Sequence, residues 1–446
     1  MARRATPRKT SVRASNRQRF KQLGPFRGVD NVSDETASSY EPNSRSGSYL
    51  REAVNVDLTN DGWVRRRPGA RKVLDFQQGH SGAVINGRLF AVDNGDLLSI
   101  SVSGGSATAE VLASGLGNGS MSYALAGANI FCCNGTFAGC INPDDTWGPW
   151  GLVPPQPPVL TPSTGGLPAG RYMVALTSEL DGLEGGSRVA VPIELTATGG
   201  IRVEGIYPDS QADAVNVYLT NTNGDQLFWA GRFDTPVAAL EIATLPQSTD
   251  LLDRMNMWPP PERAHMVRLF KGRLLVAADN ELYFSQPLAY HLFNKSTDLQ
   301  QFPERIKLLA PLDVDQGGGF FVGAGSTTWW VGGNDPDTWK PDPIDDSFLS
   351  EGEHVLVPGE VFPSLETSSM VVLWMTKDGV VAGLPGGQIR KLTDDVYAMD
   401  AFARFSMTYH EEKNVNQVVT SLRQKDHENA FGMSDRAFCD IVRAGS

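Results

Sequence analysis

Apolar positions along this chain fall in short runs separated by Gly, Asn and Asp, and long stretches with a helical period are scarce. VLDFQQGHSGAVINGRLFAVDNGDLLSISV, starting at Val73, reads as strand, turn, strand, turn, strand. MSYALAGANIFCCNGTFAGCI repeats the pattern from Met121. So do MVRLFKGRLLVAADNELYFSQP, GGGFFVGAGSTTWWVGG, VVLWMTKDGVVAGLPGGQIRKL and FSMTYHEEKNVNQVVTSLR. This is the pattern of an all-β protein.

Two echoes suggest that the runs belong to repeats. Ile85-Asn86-Gly87-Arg88-Leu89 matches Phe270-Lys271-Gly272-Arg273-Leu274, after which Leu97 and Leu282 follow an Asn-containing turn and an acid (Asp96, Glu281) at the same offset. NPDDTW, Asn142 to Trp147, is echoed by NDPDTW, Asn334 to Trp339. Degenerate repeats of a few strands each predict a β-propeller-like domain of about four to six blades, without a WD-type signature.

The middle third differs. Pro154-Pro155-Gln156-Pro157-Pro158 precedes it and Pro259-Pro260-Pro261 follows it. Between them lie GLPAGRYMVALTSEL, GSRVAVPIEL, GIRVEGI, DAVNVYLTNTNGDQLFWAGRF and AALEIATL, whose spacing predicts an immunoglobulin or fibronectin-like sandwich. The proline joints read as stiff linkers. The expected organisation is therefore a basic arm over 1–25, a first propeller part over 26–153, an inserted sandwich over 154–258 and a second propeller part over 259–446.

At 446 residues the chain exceeds one ordinary core, and 41% hydrophobic content excludes wholesale disorder. The net charge of −12 conceals an asymmetry. Arg3, Arg4, Arg8, Lys9, Arg13, Arg17, Arg19 and Lys21 give residues 1–22 a charge of +8, which leaves −20 on the remainder. A basic arm on an acidic body points the arm at nucleic acid or an acidic neighbour, whereas the body repels DNA. The arm lacks the apolar segment of an export signal, and its few large apolar residues argue against a mitochondrial presequence. No run approaches the roughly 18 apolar residues of a membrane span.

Candidate chemistry is sparse. Cys132, Cys133 and Cys140 have no second cluster or nearby histidine to complete a zinc site, and with Cys439 they show no disulfide-framework spacing. Reduced, buried thiols are expected, in keeping with assembly in a cytosol. His80, His265, His291, His354, His410 and His427 form no metal-type pair. Ser326 lacks a nucleophile elbow, because Thr328 stands where glycine is required. Asp313 and Asp315 lack the remaining ligands of a calcium loop. Asp144, Asp145, Asp335 and Asp337 read as turn residues before an anchoring tryptophan, with cation ligation as the alternative. TNDGW at Thr59 resembles a sialidase turn only loosely, and no phosphate-cradling glycine loop is present. No catalytic residue, metal or cofactor is assigned, and an enzyme is not expected.

NVDLTNDGWVRRRPG, Asn55 to Gly69, reads as a hairpin. Val54, Val56 and Leu58 alternate with Asn55, Asp57 and Thr59, Asn60-Asp61-Gly62 supplies the turn, and Trp63 begins the return strand. Alternation puts Trp63, Arg65 and Arg67 on one face and Val64 and Arg66 on the other. Arg66 is expected to hold Glu52 or Asp57, and its loss to cost more than that of Arg65. A solvated face and a contact to DNA or a neighbouring subunit both remain open for these arginines.

The segment GPFRGVDNVSDETASSYEPNSRSGSYLREAVNVDLTNDGWVRRRPGARKVL resembles the start of tail nozzle (tail stabilisation, or tail tubular) proteins of short-tailed bacteriophages. It carries an N-x-D-x-x-x-x-G-x-x-x-R-R-P-G pattern at Asn55, Asp57, Gly62, Arg66, Arg67, Pro68 and Gly69. The stretch from FKGRLLVAADNELYFS to GGNDPDTW is similar to the propeller part of that group. The resemblance as a whole covers about two thirds of the chain; the sandwich and the arm lie outside it.

The resemblance implies a non-enzymatic virion component, assembled in the bacterial cytoplasm. It would form a ring, usually of six copies, below portal and adaptor, anchor fibres or a spike, and extend the DNA channel. The alternative is a peripheral tail or baseplate module that binds host glycan or other tail proteins. In that case Trp63, Trp147 and Trp339, with Trp150, Trp329 and Trp330, are the candidate stacking aromatics.

Overall fold

The computed structural model describes residues 26–29, 48–50, 56–58, 63–66, 72–346, 351–376, 378–393, 402–412, 415–424 and 438–443. The chain divides into two compact units: Met1–Gly69 with Asp395–Tyr397, and Ala70–Asp394 with Ala398–Ser446. Described strands of the first unit form two small sheets. Phe26–Val29 pairs in parallel with Ser48–Leu50, and Val56–Leu58 pairs antiparallel with Val64–Arg66. Among the described residues these early strands pair only with one another, and the first four-stranded sheet begins at Gly79.

The second unit is all β apart from short 3-10 turns, among the described residues. Among the described residues, six four-stranded sheets follow one another as blades, and none closes on itself. Blade 1 comprises Gly79–Ile85, Arg88–Asp93, Asp96–Ser103 and Ser106–Ala113. Blade 2 comprises Ser122–Ala126, Asn129–Cys133, Ala138–Ile141 and Trp147–Pro149. Blade 3 comprises Ala264–Phe270, Arg273–Ala278, Glu281–Phe284 and Leu299–Gln301. Blade 4 comprises Ile306–Leu312, Gly319–Ala324, Thr327–Gly332 and Pro341–Asp345. Blade 5 comprises Val355–Pro358, Met370–Thr376, Gly379–Gly383 and Ile389–Lys391. Blade 6 departs from this simple meander: Phe402–Glu412, Val415–Gln424 and Phe438–Arg443 run antiparallel, and Glu351–Gly352 adds in parallel at the edge.

Both sequence echoes mark equivalent places in the blades. Asn86-Gly87 (φ 50° and 76°) and Lys271-Gly272 (φ 46° and 73°) turn from first to second strand in blades 1 and 3. Both central residues adopt positive φ, as a tight turn matched to strand twist requires. NPDDTW and NDPDTW each lie between the third and fourth strands, in blades 2 and 4.

The insert is a sandwich of two sheets. Val159–Leu167, Gly199–Glu204 and Ala239–Ile242 form one. Leu183–Ser187 and Val191–Leu195 both pair with Gly170–Leu180 in the other, which continues through Ala214–Thr220 to Leu227–Asp234. Leu167, Tyr172, Val174, Ile201, Val203, Val215, Val217 and Leu219 fill the space between them. The joints are tied down by specific bonds. Val153 N donates to Asp209 Oδ2 at 2.8 Å, and Arg188 Nε donates to Pro154 O at 3.4 Å. On the return side Trp258 and Phe293 exchange backbone hydrogen bonds of 2.9 Å, and the Arg188 guanidinium lies 4.7 Å from the Trp258 ring centroid.

Candidate functional site

The hairpin places Arg65 and Arg66 on an exposed three-residue strand. Its register pairs Val56 with Arg66, Asp57 with Arg65 and Leu58 with Val64. Residues directly opposite across an antiparallel ladder share a face. Asp57 therefore belongs with Arg65, and Arg66 stands with Val56 and Val64, which corrects the expected pairing of Arg66 with Asp57. Trp63 is 41% exposed beside them. Arg3, Arg4, Arg8, Lys9, Arg13, Arg17, Arg19 and Lys21 of the arm, together with Arg67 and Glu52, lie outside the described residues.

Most tryptophans proposed for sugar stacking serve packing instead. Trp339 is buried, with ring centroids 5.1 Å from both Phe284 and Phe320, and its Nε1 donates to Gly333 O at 3.1 Å. Trp150 is buried against Phe131 and donates to Tyr290 O at 2.8 Å. Trp330 is buried against Phe321. Trp147 is half-buried, its indole lying where a side chain on Gly139 would clash, and Trp329 is half-buried on Phe302. Burial wins because a flat ring between neighbouring strands removes far more apolar area from water than a stacked surface ring does.

The acidic turns are used locally. Asp144 Oδ1 accepts from Thr146 N at 3.2 Å and Thr146 Oγ1 at 2.7 Å, and these bonds lower its pKa below the ordinary carboxylate value. Asp145 pairs with Arg88 of blade 1. Asp335 caps a 3-10 turn by accepting from Asp337 N at 3.2 Å. Asp313 pairs with Lys271. The thiols of Cys132, Cys133 and Cys140 are buried and free. Burial raises all three pKa values, that of Cys140 to about 11.

Sequence reading missed a buried polar cluster where the first strands of neighbouring blades approach one another. Arg268 is buried on the first strand of blade 3. Its Nη1 donates to Ser122 Oγ of blade 2 at 2.7 Å and to Val267 O at 2.6 Å, and its Nη2 pairs with Glu353, ahead of blade 5. Ser122 Oγ also accepts from Val267 N at 3.1 Å. Arg404 of blade 6 binds Ser120 Oγ and lies 3.4 Å from Glu351 Oε1. Nearby, His265 Nε2 donates to Ile306 O of blade 4 at 2.8 Å, and burial pushes the His265 pKa down. Burial and the Arg268 charge push that of His354 well down. The one sequence signal was Arg268 inside the apolar run MVRLF, since a charge on a buried strand demands a partner. The partners lie 146 and 85 residues away, beyond any local pattern.

A second cluster fixes the sandwich to blade 3. The Glu184 carboxylate accepts from Thr177 and, at 2.9 Å, from Tyr218 OH, with Arg254 Nη1 3.4 Å away. His291 Nε2 donates to Glu184 O at 3.0 Å. In the first cluster the charged groups are spent on bonds between blades. In the second the Glu184 carboxylate is held within its own sheet and by Arg254, and His291 makes the tie to blade 3, so the chemistry of both is that of locks. A cavity of about 240 Å³ beside Arg268 and His354 is otherwise lined largely by Leu269, Pro311, Leu312, Leu356 and Met370. It is smaller than the roughly 300 Å³ at which small-molecule sites begin.

No protein-family model matches this chain, and no curated protein matches it. Among solved structures it is similar to the extracellular domain of a protein from B. thetaiotaomicron assigned as a hybrid two component system, BT4673. The identity is 10% and the TM-score 0.23, over 82% of this chain and 60% of the other, so this chain spans less than two thirds of that one. An overlap that loose carries no argument, and the architecture rests on the strand registers above.

Proposed function

We propose that this chain is a structural virion protein of a short-tailed phage, forming a ring in the tail that extends the DNA channel below portal and adaptor and anchors fibres or a spike. The observation that carries this reading is the Arg65-Arg66 hairpin. Its two strands pair with no other described strand, its return strand is exposed and basic, and the rest of the chain beyond the arm is strongly acidic. A two-stranded hairpin is at best marginally stable alone in water, so it gains most from a neighbouring surface. Opposite charges on separate parts of one polypeptide favour head-to-tail association, which generates a ring when the rotation closes. The locked blades and sandwich supply the stiffness such a wall needs, and an acidic wall does not grip DNA phosphates during passage.

The test is light scattering and electron microscopy of the purified chain, alone and with the portal, adaptor and fibre proteins of its own virion. Rings, either alone or on a tail partner, are the expected result. A chain that stays monomeric with every tail component overturns the reading.

A further inference from the structure

Blade 1 differs from blades 2 to 5 in having a face that no other described blade covers. The register aligns Val84, Leu89, Ile100 and Ala109 across the four strands, so they share a face with Ala91, Leu98, Val102, Ala107 and Val111. The opposite face, with Phe90, Val92 and Leu97, packs on Ile130, Cys132 and Ile141 of blade 2. Leu74, just ahead of the blade, packs on Ala91, Leu98 and Ile100. Beyond that cover, Val84 is 71% exposed, Val102 61% and Val111 53%. The last strand, Ser106–Ala113, is also a free edge of its sheet, eight residues long, without proline and with Glu110 as its only charge. Exposed apolar face and unprotected edge coincide, a combination that soluble chains avoid unless something covers it.

We infer that the outward face and free edge of blade 1 receive a second copy of this chain, whose Arg65-Arg66 hairpin lies against the Glu110 edge. This rests on the ring reading above and names the surfaces that would make the ring. Charge complementarity selects the occupant. The hairpin strand presents two exposed arginines beside Val64, itself 44% exposed, and the blade edge presents the exposed Glu110 on the Ser99 side of the strand, with Ala107, Ala109 and Val111 on the other side. A contact between unlike surfaces is heterologous, and each copy keeps one unsatisfied surface of each kind until the ring closes.

The experiment mixes full-length Thr108→Cys chains with full-length Val64→Cys chains, both in a Cys439→Ser background that leaves Glu110 and the arginines in place, and adds a short thiol cross-linker, so that contacts between copies are read. A covalent dimer is expected in the mixture and not in either variant alone. In parallel, Val84→Glu with Val102→Glu, both at exposed positions, should lower the assembled fraction at least tenfold while leaving the circular dichroism and melting of the monomer unchanged. Rings that persist in the valine variant, with no cross-link in the mixture, overturn this interface and leave the ring reading standing. A wild-type chain that associates with no copy and no tail partner overturns both.

Discussion

Blades 1 and 5 are built from the same kind of four-stranded meander but end in opposite environments. In blade 5, Val371 to Met375 are buried in succession, so both faces of the sheet are covered. One side meets blade 4, where the Trp374 ring lies 5.1 Å from Phe321, and the same core takes in Phe405 and Met407 of blade 6. In blade 1 the edge strand Ser106–Ala113 has no buried residue. The difference was visible in the letters: VVLWM is an unbroken apolar run, whereas SATAEVLA interrupts its apolar residues with polar ones. A strand covered on both sides can be apolar throughout, and one covered on a single side alternates. An uncovered face therefore lies open to a partner, and a covered one is available only to the fold.

The comparison breaks most directly at Trp374. Trp374→Ala should cost about 3–5 kcal/mol of stability, read as a lowered midpoint in denaturant, because the cavity lies between two blades that cannot both relax. Glu353→Gln should cost roughly 2 kcal/mol, discounted because that carboxylate is half exposed while Arg268 is buried. A double-mutant cycle with Arg268→Met measures their coupling, and a coupling near zero would remove the central lock from the account.

Acid should loosen the locked region more than blade 1. Burial depresses the folded-state pKa of His265 and His291 below the ordinary 6.5. Between 6.5 and those lower values the unfolded chain binds more protons than the folded one, so their contribution is complete above about 6.5 and lost as pH falls through the folded values. Stability measured from pH 7 down to pH 5 should decline, and His265→Asn with His291→Asn should flatten that decline even if the absolute stability drops. An unchanged slope would exclude these rings as its source.

The smallest effects belong to the exposed surfaces. Val102→Thr should change monomer stability by no more than about 0.5 kcal/mol, in contrast to any change on the second strand of blade 5. In the hairpin, Arg65→Ala should weaken assembly more than Arg66→Ala, since Asp57 is registered opposite Arg65. Equal effects in sedimentation would mean that the partner, not the hairpin's own acid, sets the role of each arginine.

The all-β class and the blade turns were legible because each depends on a few adjacent residues. Asn86-Gly87 and Lys271-Gly272 encode a turn, and alternation encodes a face. The sequence could not tell a packing tryptophan from a displayed one: Trp339 and Trp63 look alike until Phe270, Phe284 and Phe320 are brought around the first. Nor could it join Arg268 to Ser122 and Glu353, because only the juxtaposition of blades makes those residues neighbours. Local dihedral preference and side-chain alternation act within one strand and its turn. Burial and charge pairing depend on which sheet lies next, and only the packing of the tertiary structure decides that.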